Sequence, residues 1–284
     1  MTDMSDPGPD REKGMLVRDG IGRARLRFGA ILFETVFQPA YRVEGGMLRP
    51  DFATARLRPE GRETAQHVLA SLAEGPGAGQ AAALARCNLV FLDPETLCYC
   101  EDHLMSAAMA PATLDLMLAA VRDAFMMPDQ IVWRLPLRVA CDAGETIARA
   151  RAAGIRIALR LAGADPGDTV ERAIESGAQM LHLGAEWSGA WLENVPEAQS
   201  LLGSLVERVR QSGCGVSMTG ISTAAQLDVA LGAGVQWVQG GYLAPAVAAG
   251  QSTGWQELNA AALRRPGGNV RVLKRHQAPR DQQY

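Results

Sequence analysis

The chain has 284 residues, with Lys and Arg numbering 28 against 31 Asp and Glu, for a formal charge of −3. That near-neutral balance excludes a general nucleic-acid binder, which carries a strong basic excess, and 48% hydrophobic residues suffice for a sizeable core. No run reaches the ~18 apolar residues of a membrane span, no charged-then-apolar leader opens the chain, and five cysteines are an odd count for a disulfide scaffold. The expectation is a cytoplasmic globular protein of a reducing compartment, with no membrane partner.

Residues 1–22 are rich in Asp, Gly, Pro and Arg without apolar periodicity, and read as a flexible N-terminal tail. Residues 23–263 read as one barrel domain. Residues 264–284 carry Arg264, Arg265, Arg271, Lys274, Arg275 and Arg280 against Asp281, and read as a flexible basic C-terminal tail. Between the tails, short apolar runs alternate with helical patterns. The runs are Leu32–Phe37, Phe52–Leu57, Asn88–Leu92, Ile131–Leu135, Ile155–Leu159, Met180–Leu183, Gly215–Met218 and Val235–Val238. Most are apolar at nearly every position, as strands covered on both faces are. Helical stripes fall in the gaps: Val68, Leu69 and Leu72; Leu114, Met117, Leu118, Val121 and Phe125; and Leu201, Leu202, Leu205, Val206 and Val209, closed by Gly213. Gly75-Pro76-Gly77-Ala78-Gly79 lacks the spacing of a phosphate loop and reads as a flexible connection.

Eight strands interleaved with helices predict a TIM-like (β/α)8 barrel. One joint departs from the pattern. Ala40–Asp51 contains Gly45-Gly46 and has no room for the crossover helix that parallel neighbours need. A Gly-Gly turn makes a hairpin instead, so the first strand is expected to run antiparallel to the others.

Several motifs then resemble one family. Phe37-Gln38-Pro39-Ala40-Tyr41 resembles the Tyr-Gln-Pro-Ile opening of EAL domains, the bacterial cyclic-di-GMP phosphodiesterases. Gly154-Ile155-Arg156-Ile157-Ala158-Leu159 resembles the strand leading into that family's Asp-Asp-Phe-Gly loop. Gly220-Ile221 and Ala225-Gln226-Leu227 resemble the segment after its late glutamate. Gln239-Gly240-Gly241-Tyr242-Leu243 with Pro245 resembles its closing Gln-Gly-Tyr signature with one extra glycine. The likeness runs from about Leu32 to Ala246, and the fold it implies is a TIM barrel with an antiparallel first strand.

The resemblance implies two divalent metals held by carboxylates and an Asn at the strand ends, where they activate a water against a phosphodiester. The matching positions read otherwise. Thr54 stands for the metal-binding Glu, Phe91 for the Asn, and Arg134 lies in the stretch matching Glu-Xaa-Thr-Glu. Arg160-Leu161 stands for the Asp-Asp pair, His182 for the Lys of Lys-Ile-Asp, and Thr219 for the late Glu. A guanidinium about 4 Å from a cation at an effective dielectric near 20 is repelled by about 4 kcal/mol per unit charge. The expectation is therefore a degenerate, non-enzymatic barrel with no metal and no cofactor, which acts on an unidentified protein partner in cyclic-di-GMP-type signalling.

Gln38, Arg58 and Gln239 match positions that contact the nucleotide in the family. With Arg160 they form the alternative site, a metal-independent receptor for cyclic-di-GMP or another phosphorylated nucleotide. The same residues also read as packing and hydrogen-bonding parts of a barrel rim, with the arginines paired to acids such as Asp93 or Asp165. Trp187 and Trp191 follow the sixth run, and read either as interface anchors or as caps on the core. The resemblance leaves a homodimer open. Cys98, Cys100 and His103 lack a fourth zinc ligand and read as inert thiols in a loop or helix edge. His182 reads as a satisfied polar residue, since no nucleophile is assignable beside it from sequence.

Overall fold

The structure is a computed structural model, and it describes residues 14–60, 75–92, 98–102, 106–161, 170–171, 175–251 and 254–264. Among these residues the strands are β1 (Met15–Arg18), β2 (Ala24–Phe28), β3 (Ile31–Glu44), β4 (Met47–Pro59), β5 (Cys98–Asp102), β6 (Ile131–Pro136) and β7 (Arg156–Leu161). They continue with β8 (Met180–Leu183), β9 (Gly215–Thr219), β10 (Trp237–Gln239), β11 (Val247–Ala248) and β12 (Leu258–Asn259). The hydrogen-bonded order runs β3-β10-β9-β8-β7-β6-β5-β4, and β4 pairs back to β3. Eight strands thus close on themselves as a TIM-like barrel.

The expected exception holds. Strand β3 is antiparallel to β10, whereas β10–β9, β9–β8, β4–β5 and β5–β6 are parallel. The cause is local: Gly45 and Gly46 take φ of 55° and 82°, the left-handed pair that a two-residue hairpin demands.

The chain divides into two compact units, Met1–Gln38, Phe52–Leu159 and Ala246–Gly254 in one, and Pro39–Asp51, Arg160–Pro245 and Trp255–Tyr284 in the other. The first unit buries Phe33, Phe37, Phe52, Leu84, Leu114 and Trp133. Its helix Ala110–Asp123 faces inward with Leu114, Met117 and Val121, as the periodicity requires. Phe125 lies beyond that helix at φ 57° and is 89% exposed, so it leaves the predicted stripe. The second unit buries Leu181, Leu183, Val216, Met218 and Val238. Its helix Pro196–Gln211 buries Leu202, Val206 and Val209 and exposes Leu201.

Four expectations are corrected. Asn88–Leu92 is not the third barrel strand: Leu89–Phe91 is a 3-10 turn, with Phe91 N–H donating to the Asn88 carbonyl at 3.1 Å and Leu92 N–H to that of Leu89 at 2.9 Å. Asn88 explains why. Its Oδ1 accepts from Ala24 N–H at 2.9 Å, and its Nδ2 donates to Ala24 O, Thr35 Oγ1 and Leu84 O at 3.0, 3.1 and 3.2 Å. This side chain pins strand to helix, while the Asn88 N–H donates to the Ala85 carbonyl at 3.0 Å and its carbonyl accepts from Phe91, so the backbone is spent on the turn rather than on a ladder. The third strand is Cys98–Asp102 instead, so Cys98 and Cys100 are strand residues rather than a loop; His103 lies outside the described residues.

The glycine-rich stretch opens a helix, Gly75–Cys87, rather than a flexible connection. The N-terminal tail ends earlier than expected, because Met15–Arg18 is strand β1, paired with β2. The predicted helix around Val68–Leu72, with Asp93, Asp165 and residues 265–284, falls outside the described residues. No helix among the described residues is long and apolar enough to cross a membrane.

Candidate functional site

In the first unit, Gln38 on β3, Thr54 on β4 and Arg134 on β6 are all buried. The Arg134 guanidinium carbon stands 5.9 Å from the centroid of the Phe52 ring, a cation–π approach for a side chain only 2% exposed. Thr54 is the register partner of Cys100, and Arg134 is that of Asp102, the last residue of β5. The Thr54 hydroxyl is buried with no hydrogen-bond partner among the described residues. Phe91 does not reach a strand end; it sits in the 3-10 turn, where its carbonyl accepts from Gly250 N–H at 3.2 Å. The third strand ends at Asp102 instead.

Arg58 is held elsewhere. Its Nε and Nη2 meet Glu34 Oε1 at 2.7 and 2.6 Å, so the guanidinium is engaged by an acid on the neighbouring strand. Glu34 also takes Arg25 at 3.0 Å.

A second polar group in this unit was invisible in the sequence. Glu101, fully buried, accepts from Arg86 Nη1 at 3.1 Å and from Tyr99 O–H at 2.9 Å. Desolvation, with the neighbouring carboxylate, holds the Tyr99 phenol far above its ordinary pKa. Tyr99 and Glu101 border a small recess lined by Ala81, Ala82, Ala85 and Ala55.

In the second unit, the polar side chains at the strand ends form neutral pairs. His182 on β8 and Ser217 on β9 are register partners, with Nδ1 and Oγ 2.9 Å apart. The Ser217 hydroxyl also lies 3.4 Å from the Leu181 carbonyl. Which of the two side chains donates across the pair is set by the imidazole tautomer. Thr219 Oγ1 donates to Gln239 Oε1 at 3.2 Å, so two of the sequence-selected positions do meet. The backbone around them is tight: Ile221 N–H donates to the Gln239 carbonyl at 3.1 Å, and a Cβ on Gly240 would overlap the Ile221 carbonyl. Only glycine allows that approach.

Leu161 is buried, and Arg160 Nη2 lies 3.6 Å from Glu186 Oε2, both side chains about two-fifths exposed, which makes it a weak surface pair. Trp187 is half-buried with no partner for its indole N–H among the described residues, whereas Trp191 is 40% exposed beside the exposed Val195. Among the described residues, no three His, Cys, Asp or Glu side chains converge on one point.

Several solved EAL proteins share this architecture. The PaMucR phosphodiesterase in its cyclic-di-GMP complex is similar at a TM-score of 0.65 and 16% identity, over 77% of this chain and 93% of that one. The FimX EAL domain from Pseudomonas aeruginosa bound to cyclic-di-GMP is similar at 0.61 and 18% identity, over 76% and 90%. The EAL enzyme Bd1971 in its cGMP-bound form is similar at 0.65 and 13% identity, over 77% of this chain; the chain spans 63% of that one. No family model matches the chain, and no curated protein matches it. At these identities the likeness shows the fold, and the fold is EAL-like.

Proposed function

We propose that this EAL-like barrel is a non-catalytic regulatory protein of the bacterial cytoplasm that works by associating with another protein in cyclic-di-GMP-type signalling. One observation carries the loss of catalysis: a buried guanidinium, Arg134, sits in β6, in the stretch matched to a metal-binding acid. Hard dications need several anionic or carbonyl oxygens at close range. Thr54, Arg134, Arg160, Leu161, His182 and Thr219 supply one cation, a half-exposed cation, an alkyl group and three neutral polar groups. Asp102 is one carboxylate, opposite Arg134 in register. This donor set does not fit a pair of magnesium-class ions, and no hydrolytic step is derived through them.

The association half of the proposal is supported by the exposure of Trp191 with Val195 and Leu201 in the second unit, and by the bacterial signalling proteins that share the fold. Purified protein incubated with cyclic-di-GMP and Mg2+ or Mn2+ is expected to yield no linear dinucleotide; turnover would overturn the proposal. Trp191→Ala is expected to weaken partner capture while leaving the unfolding midpoint unchanged.

A second reading is favoured by Arg134. A guanidinium buried in the barrel suits an anion, so this residue supports a metal-independent receptor for cyclic-di-GMP or another phosphorylated nucleotide. Calorimetric titration with cyclic-di-GMP decides it: heat that disappears in Arg134→Met supports the receptor, and no heat at high micromolar ligand ends it.

A further inference from the structure

Strand β1 ends the sheet. It pairs with β2 through Met15↔Arg27, Leu16↔Leu26, Val17↔Arg25 and Arg18↔Ala24, and no described strand pairs with its other edge. The turn fixes where its backbone groups point. Asp19 N–H donates to the Arg23 carbonyl at 3.0 Å, making 19 and 23 a hydrogen-bonded pair. Alternation along an antiparallel ladder then directs the N–H and C=O of Leu16 and Arg18 to the outer side.

Gly14, in the same phase, behaves accordingly: its N–H and C=O meet the side-chain amide of Gln80, each at 3.4 Å. Gln80 closes the start of the edge and the turn at Asp19 closes its end. Between them, four backbone groups of Leu16 and Arg18 have no partner among the described residues. The bordering Met15 and Leu16 side chains are 57% and 44% exposed. Such an edge is a template for an added strand.

Charge selects what is added. Arg23 and Arg25 are answered by Asp19, Glu34 and Glu60. Arg18 and Arg27 are exposed and meet no carboxylate among the described residues. Arg18 Nη1 donates to the Gly22 carbonyl at 2.7 Å, which keeps its cation beside the edge. The register puts Leu16 and Arg18 on one face of the ribbon, and Met15, Val17 and Arg27 on the other. Each face therefore offers apolar surface and one uncompensated cation.

We propose that β1 docks an extended segment of a partner protein whose side chains alternate apolar and acidic, added as an extra strand of the sheet. Main-chain bonds to Leu16 and Arg18 hold it, and its carboxylates answer Arg18 and Arg27. A second copy of the chain would bring the same arginines against each other, so it fits less well. The proposal rests on the association reading only in taking the partner to be a protein. Hydrolysis by the barrel would sink that reading and leave peptide docking intact, so the two fail separately.

The test is fluorescence anisotropy of the full chain with a labelled nonapeptide alternating Val and Glu, its Lys analogue, and two variants. Leu16→Pro removes only the outward N–H, a substitution edge strands tolerate. Arg18→Glu leaves the ladder untouched and carries the test if the proline variant does not fold. The acidic peptide is expected to bind the parent and to bind each variant about tenfold more weakly, while the Lys peptide does not bind. No binding up to millimolar peptide, equal binding by the variants or by the Lys peptide, or a dimer in sedimentation that Leu16→Pro abolishes would overturn it.

Discussion

The two compact units bury polar groups by opposite means. The first buries full charges: Arg86 against Glu101, with side chains 9% and 0% exposed, and Arg134 against the Phe52 ring. The second buries neutral pairs, His182 with Ser217 and Thr219 with Gln239. The difference governs how each tolerates change. A buried charge that loses its partner is stranded at low dielectric at a cost of about 3–5 kcal/mol, whereas an orphaned neutral group costs about 1–3 kcal/mol.

The sharpest way to break this contrast is Arg86→Ala. It removes the guanidinium that answers the buried Glu101 carboxylate, and is expected to cost about 3–5 kcal/mol in urea unfolding. Replacing both partners, as in Arg86→Met with Glu101→Leu, is expected to recover most of that. A loss below about 1 kcal/mol in the single variant would put the charged pair on the neutral scale.

Next comes Asn88→Ala, which orphans Ala24 N–H and three buried acceptors. An expected loss of about 2–3 kcal/mol, read from thermal unfolding, places it between the charged and neutral cases. Ser217→Ala should cost only about 1 kcal/mol, and a double-mutant cycle with His182→Leu should give a coupling no larger. A coupling of several kcal/mol would mean that His182 is charged and that the second unit is not neutral.

The smallest effect concerns the β1–β2 ribbon. Burial disfavours the Asp19 carboxylate, but hydrogen bonds from the Arg23 side chain and N–H, from Arg25 and from Ile21 outweigh it and hold its pKa well below the usual range. A depressed folded-state pKa stabilises fully above the unfolded value near ~3.9 and is lost as pH falls toward the folded value. Amide exchange in residues 15–28 is therefore expected to quicken below about pH 4, and Asp19→Asn to remove that pH dependence while quickening exchange at neutral pH.

The hairpin at Gly45-Gly46 was legible because its cause is local: two residues with positive φ and no length for a crossover. Helix Ala110–Asp123 was legible down to its buried face, since period and burial coincide at Leu114, Met117 and Val121. Asn88–Leu92 was not. A short apolar run is equally a strand or a turn, and the deciding bonds go to Ala24 and Thr35, 64 and 53 residues away. Strand Cys98–Asp102 was missed because thiols and acids alternate with one aromatic. Glu101 is accommodated there as Arg86 arrives from a helix to neutralise it. Among the selected site residues, Thr219 with Gln239 could have been found from the fold resemblance, whereas the capture of Arg58 by Glu34 depends on a strand pairing that no motif spells out.

Taken alone, the sequence determined the alternation of strands and helices and the reversed first strand, because these are properties of residues and their near neighbours. Only the tertiary structure decided which run is the third strand, that Arg58 is engaged by an acid, that His182 has a serine beside it, and that β1 leaves an open edge. Each of these depends on groups far apart in the chain, whose meeting is set by strand register and burial rather than by local preference.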